Sequence, residues 1–148
     1  MSVLKNEIVN DKYEIKHFIE STSFCDIYTC IDILSKKFVS LSVYLVKDIA
    51  EDDLDENGDL REIGFLKLGI NGFPKLLGFG HFSCNELEYR YIATEFVSGE
   101  SVSDRIKRSG PLSISESTNV ILKIADIAKN LHNRDNPCLL YTSPSPRD

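Results

Sequence analysis

The sequence predicts an α+β fold: a five-stranded antiparallel sheet with one helix between its third and fourth strands, then two further helices. Three observations carry this reading. Residues 13–46, YEIKHFIESTSFCDIYTCIDILSKKFVSLSVYLV, alternate side chains with the two-residue period of strands. Residues 76–82 and 89–97 repeat that pattern on either side of a polar turn, Ser83 to Glu88. From Ser101 onward the period becomes helical, with a capping signal at the head of each segment.

In the first strand Tyr13, Ile15 and His17 alternate with Glu14, Lys16 and Phe18. In the second, Cys25, Ile27, Thr29 and Ile31 alternate with Asp26, Tyr28, Cys30 and Asp32. The third has the cleanest division. Val39, Leu41, Val43 and Leu45 form an apolar face, and Ser40, Ser42, Tyr44 and Val46 stand opposite, because successive strand side chains point to opposite sides. An acidic connection, Asp48 to Asp59, leads into a short helix marked by Leu60, Ile63 and Leu66 and ended near Gly69. Asn71-Gly72 and Pro74 break the chain before the fourth strand. Ser101-x-x-Asp104 and Ser113-x-x-Glu116 open the last two helices, and Gly110-Pro111 stops the first of them. The second carries Val120, Ile121, Ile124, Ala125, Ile127, Ala128 and Leu131 at helical spacing, a broad stripe expected to be buried.

Composition limits the functional classes. The net charge of -6 argues against a nucleic-acid-binding or anionic-membrane surface. No apolar run is long enough to span a bilayer, and the amino-terminus lacks the apolar core of a signal peptide, so a cytoplasmic or nuclear setting is expected. The cysteines show no paired spacing, which points to reduced thiols, and Cys25 and Cys30 fall on opposite faces of one strand. His17, His81 and His132 are scattered and form no ligand cluster. No metal site or catalytic residue is assigned.

Residues 13–137 resemble the amino-terminal lobe of a eukaryotic-type protein kinase followed by the start of its helical carboxy-terminal lobe. The resemblance rests on several segments in order. Glu20-Ser21-Thr22-Ser23-Phe24-Cys25-Asp26-Ile27 stands where the family has its glycine loop, G-x-G-x-x-G-x-V, and Val39-Ser40-Leu41-Ser42 where it has V-A-I-K. Arg61-Glu62-Ile63 is similar to the regulatory helix, Phe73 to Leu77 to the approach to the fourth strand, and Tyr91 to Ser101 to the fifth strand and hinge. The resemblance implies residues 1–12 as an extension, 13–97 as the first lobe and 98–137 as hinge and truncated second lobe. It also implies ATP with Mg as the family cofactor. Ile19 and Ile27 would cover an adenine, Thr94 would be the gatekeeper, and the Glu95 carbonyl and Val97 backbone would face the base.

The departures weaken the chemistry. All three glycine positions are filled, by Glu20, Thr22 and Cys25, so the backbone amides lose the close approach to phosphate that glycine permits. The lysine position is Ser42, which leaves Glu62 without its family partner, and Lys47 points to the other face of the strand. Asn133-Arg134-Asp135 sits on the helix end without the downstream residues of a catalytic loop, so Asp135 is not read as a base. The expected function is a pseudokinase-like regulatory or scaffolding module with a protein partner or protein substrate and no phosphoryl transfer. Two alternatives stand beside it. One is a truncated, divergent ATP-dependent Ser/Thr protein kinase. The other is a calcium-binding loop domain around Asp53, where Asp53 to Gly58 match the front of a calcium loop but the twelfth position is Gly64 in place of glutamate. Residues 138–148, CLLYTSPSPRD, break from the helical pattern and look like a translated sequencing-library adapter, so they are set apart from the fold.

Overall fold

The computed structural model describes residues 4–132. They divide into two compact units, one built from the residues up to Gly69 together with Pro74–Val97, the other from Ile70–Phe73 and the residues from Ser98 onward.

The first unit contains β1 (Ile8–Val9), β2 (Tyr13–Ser21), β3 (Asp26–Asp32), β4 (Phe38–Leu45), α1 (Arg61–Leu66), β5 (Leu76–Cys84) and β6 (Leu87–Glu95). They form one antiparallel sheet in the order β1-β2-β3-β4-β6-β5. The sheet curls strongly. Tyr13 on β2 and Tyr91 on β6 lie three strand steps apart, about 14 Å in a flat sheet at roughly 4.8 Å per step. Their ring centroids are nevertheless 5.8 Å apart, edge to face. The two sheet edges also meet, since Asn10 Nδ2, just after β1, donates to the His81 carbonyl on β5 at 3.2 Å.

The expected kinase-like lobe of five strands and one helix is therefore corrected to a six-stranded, nearly closed barrel-like sheet accompanied by three helices. The added strand, Ile8–Val9, is two residues long and too short to show an alternation in sequence. It is held to β2 by a turn in which Asn10 and Asp11 take φ of 51° and 56°, a region their short polar side chains tolerate. Leu4 and Val9 are buried in the core.

The apolar faces explain the curl. Val39, Leu41 and Val43 of β4 point inward with Tyr13, Ile15, Tyr28, Cys30, Tyr91 and Ala93, and the sheet wraps around them. In β2 the alternation expected through His17 breaks after Ile15. A bulge between Ile15 and His17 leaves His17 exposed and brings Phe18 against the core, where it meets Tyr28 edge to face. On the other side of the sheet Tyr44 and Ile92 pack with Leu60, Ile63 and Leu66, which dock α1. Two glycines of β5 make room for the tyrosines. A Cβ on Gly78 would lie 2.8 Å from the Tyr13 hydroxyl, and one on Gly80 3.1 Å from Tyr91.

The second unit contains α2 (Val102–Ser109) and α3 (Ile114–His132). Ser101 Oγ accepts from the Asp104 amide at 3.0 Å. At α3 the box closes both ways: Ser113 Oγ accepts from the Glu116 amide at 3.1 Å, and Glu116 Oε1 accepts from the Ser113 amide at 3.4 Å. Gly110, at φ 79°, ends α2, and the Arg105–Glu116 pair at 3.1 Å ties the two helices. Gly72 lies so near α3 that a Cβ there would be 2.5 Å from Ile127. The expected buried stripe of α3 is a further correction. Leu131 is buried and Val120, Ile127 and Ala128 are half-buried, whereas Ile121, Ile124 and Ala125 are exposed, because only one flank of the helix finds a partner among the described residues. Asn133-Arg134-Asp135 and residues 138–148 lie outside the described residues. Among the described residues no helix is long and apolar enough to cross a membrane.

Gly78→Ala is expected to destabilise the chain by about 1–3 kcal/mol, because the buried Tyr13 ring has no room to give. Urea denaturation checks this, and an unchanged midpoint would remove the close approach from the account. A pH dependence follows from the same core. Burial pushes the Cys30 thiol from 9.0 up to about 12, and burial with Asp26 pushes the Tyr28 phenol from 10.0 up to about 12. Both groups keep their protons better when folded, so their contribution is complete below about pH 9 and is lost as pH rises toward 12. The melting temperature should fall through that window; a flat profile would contradict the burial argument.

Candidate functional site

The β2–β3 loop is built around one side chain. Ser21 Oγ donates to Asp26 Oδ1 at 2.6 Å and closes the stem. Inside it, the Thr22 amide donates to the Cys25 carbonyl at 2.8 Å. Thr22 Oγ1 accepts from the Phe24 amide at 3.2 Å and from the Cys25 amide at 3.1 Å. The amides of Thr22, Phe24 and Cys25 are thus satisfied within the loop. A glycine loop leaves such groups turned outward for phosphate; here they are bonded within the loop.

Below the loop, β4 presents Ser42 and Tyr44 on one face, as the two-residue period requires. Ser42 pairs with Ile27 on β3 and with Ile92 on β6. Tyr44 is 8% exposed, and its hydroxyl donates to Glu62 Oε2 on α1 at 2.6 Å. Burial, then the Glu62 carboxylate, drives the Tyr44 phenol far above its ordinary range, so it remains a donor at any physiological pH. Glu62, expected to lack the lysine of the family, takes the Tyr44 hydroxyl as its partner. Sequence reasoning had placed Tyr44 on the same face as Ser42 without drawing the contact, because the position of α1 over that face is a tertiary fact.

The loop, β4 and α1 enclose a cavity of about 380 Å³. Phe24, Ile27, Ile49 and Leu60 give it apolar walls, and Ser42, Tyr44 and Cys25 line it as well. Three carboxylates, Asp48, Asp53 and Glu62, face it against one guanidinium, Arg61, whose Nε donates to the Asp52 carbonyl at 2.7 Å. The structure thus brings together Ile27, Ser42 and Glu62 of the sequence-predicted set.

The other predicted residues lie apart from this cavity. Ile19 is 55% exposed beside the second β2 bulge. Thr94 is half-buried at the end of β6, opposite Ser40 and Leu76. The Glu95 amide donates to the Lys75 carbonyl at 2.9 Å, and its carboxylate accepts from the Lys75 amide at 3.0 Å. Val97 is 66% exposed. The calcium-loop residues are folded on themselves: Asp55 Oδ1 accepts from the Asn57 amide at 2.8 Å and from the Asp59 amide at 3.0 Å. Among the described residues no three His, Cys, Asp or Glu side chains converge as a metal site requires. No family model matches the chain, and no match to a curated protein is found.

The Tyr44–Glu62 bond makes an asymmetric prediction. Tyr44→Phe is expected to cost about 1 kcal/mol, because exposed Glu62 regains water. Glu62→Ala should cost about 1–3 kcal/mol, because it strands a buried hydroxyl. Equal losses in chemical denaturation, or the reverse order, would show that the hydroxyl is not held in the interior.

Proposed function

We propose that the chain works as a regulatory or scaffolding module of the pseudokinase type, engaging a protein partner without transferring a phosphoryl group. The kinase-like motifs of its sequence are the ground for that class, although its six-stranded sheet departs from the lobe they led us to expect. The observation that carries the loss of chemistry is the Thr22 turn, in which the loop amides are already bonded. Ser42 and the surplus of carboxylates around the cavity support the same reading. A polyphosphate needs donors and cations at close quarters, each charge-assisted bond contributing roughly 1.5–3 kcal/mol. Here it would meet three carboxylates and one arginine.

Titration calorimetry of the full chain with Mg-ATP is expected to give no heat of binding, and incubation with radiolabelled ATP and a mixed protein substrate no incorporation. Binding that disappears in Glu62→Ala would overturn the proposal and favour a divergent ATP-dependent enzyme.

A further inference from the structure

Independently of that reading, we propose that the end of the barrel beside the β2–β3 loop binds a small, uncharged, mainly apolar molecule through a carbonyl oxygen. A second cavity, of about 340 Å³, lies there on the core face of the sheet, opposite the face that carries Ser42 and Tyr44. Its size is that of a small-molecule site, and barrel mouths are among the places where such sites form. Strand ends build it. Asp26 and Tyr28 come from β3, Val43 and Leu45 from β4, and Leu87 and Tyr89 from β6. The register sets Asp26 across from Val43 and Leu45 across from Tyr89.

The core leaves one polar group over at this place. The Tyr28 side chain is 1% exposed and lies edge to face against Phe18, yet its hydroxyl makes no hydrogen bond among the described residues. The Tyr13 hydroxyl is unpartnered too, but protein seals it off; that of Tyr28 is not sealed and opens on the cavity. Burial holds the phenol in its protonated form, so it has a proton to donate and needs an acceptor. The charge of that acceptor follows from its surroundings. The alternation that turns Tyr28 and Cys30 inward turns Asp26 inward as well, where Ser21 Oγ donates to its Oδ1. Asp48 also lines the cavity, and no lysine or arginine does, so an anionic oxygen is repelled. An ammonium has no lone pair to offer the phenol. A carbonyl fits both conditions, since it accepts and brings no further donor into an apolar wall.

The test is a ligand-observed NMR titration of the full chain with acetophenone, α-methylstyrene and benzoate. The three share a shape and differ in the group they offer Tyr28: a carbonyl, a methylene and a carboxylate. Acetophenone is expected to bind about fivefold more tightly than α-methylstyrene, as one neutral hydrogen bond allows, and benzoate more weakly than acetophenone. Tyr28→Phe should keep or raise the melting temperature, because it removes an unpaired group, and should lower acetophenone to the affinity of α-methylstyrene. Leu87→Trp adds a ring at an exposed position of the lining, outside the core, and should weaken both neutral compounds. Equal binding of acetophenone and α-methylstyrene, tighter binding of benzoate, no binding of any of the three, or unaltered affinities in the variants overturns the proposal. A fall in melting temperature in Tyr28→Phe overturns it as well, since the hydroxyl would then have a partner within the fold.

Discussion

The structure depends on the curl that brings Tyr13 against Tyr91. Without it, the inward side chains of six strands would cover one another only in a flat layer, and β1 and β5 would remain open edges. With it, each strand contributes its inward residues to one core, including the two-residue β1 through Val9. The curl is possible because β5 carries glycines where the tyrosines cross it. Gly78 lies under the Tyr13 hydroxyl, where a Cβ would force a shift, and Gly80 lies against the Tyr91 ring, where a Cβ would be a tight fit. Glycine acts here by its small size, letting an aromatic ring lie directly on a backbone.

The outward face of the same strands builds the candidate site. Because β4 alternates, the residues left over from the core, Ser42 and Tyr44, must share the opposite side. Helix α1 covers part of that side through Leu60, Ile63 and Leu66, and Glu62 reaches Tyr44 beside them. The buried hydroxyl therefore does two things. It is satisfied where burial would otherwise penalise it, and it ties β4 to the one carboxylate of α1, Glu62.

Much of the local structure was legible in the sequence. The division of β4 into Val39, Leu41 and Val43 against Ser40, Ser42 and Tyr44 is the observed one, and the Ser113–Glu116 box is closed in both directions. Local signals suffice where a bond joins residues three apart or a period runs unbroken. They fail where a residue is added or where the partner is distant. The bulge after Ile15 exchanges the fates of His17 and Phe18, and the pairing of β1 rests on contacts too few to leave a pattern. The stripe on α3 was correct as a period and wrong as burial, because periodicity names a face and says nothing of what covers it. At the site, the residues of the β2–β3 loop were plain in the sequence, but the bonds they make were not. Nothing in the string Ser21-Thr22-Ser23-Phe24-Cys25 says that one hydroxyl will accept from two amides.

The Thr22 turn shapes one wall of the cavity. A loop with no internal acceptor would leave its amides to water, and its shape would be loosely held. The loop here has an internal acceptor, Thr22 Oγ1, for the amides of Phe24 and Cys25. Glu62 is likewise held within the fold, by the Tyr44 hydroxyl. Both bonds use polar groups that would otherwise be left to water, so the cavity of about 380 Å³ is walled in part by side chains already committed to the fold.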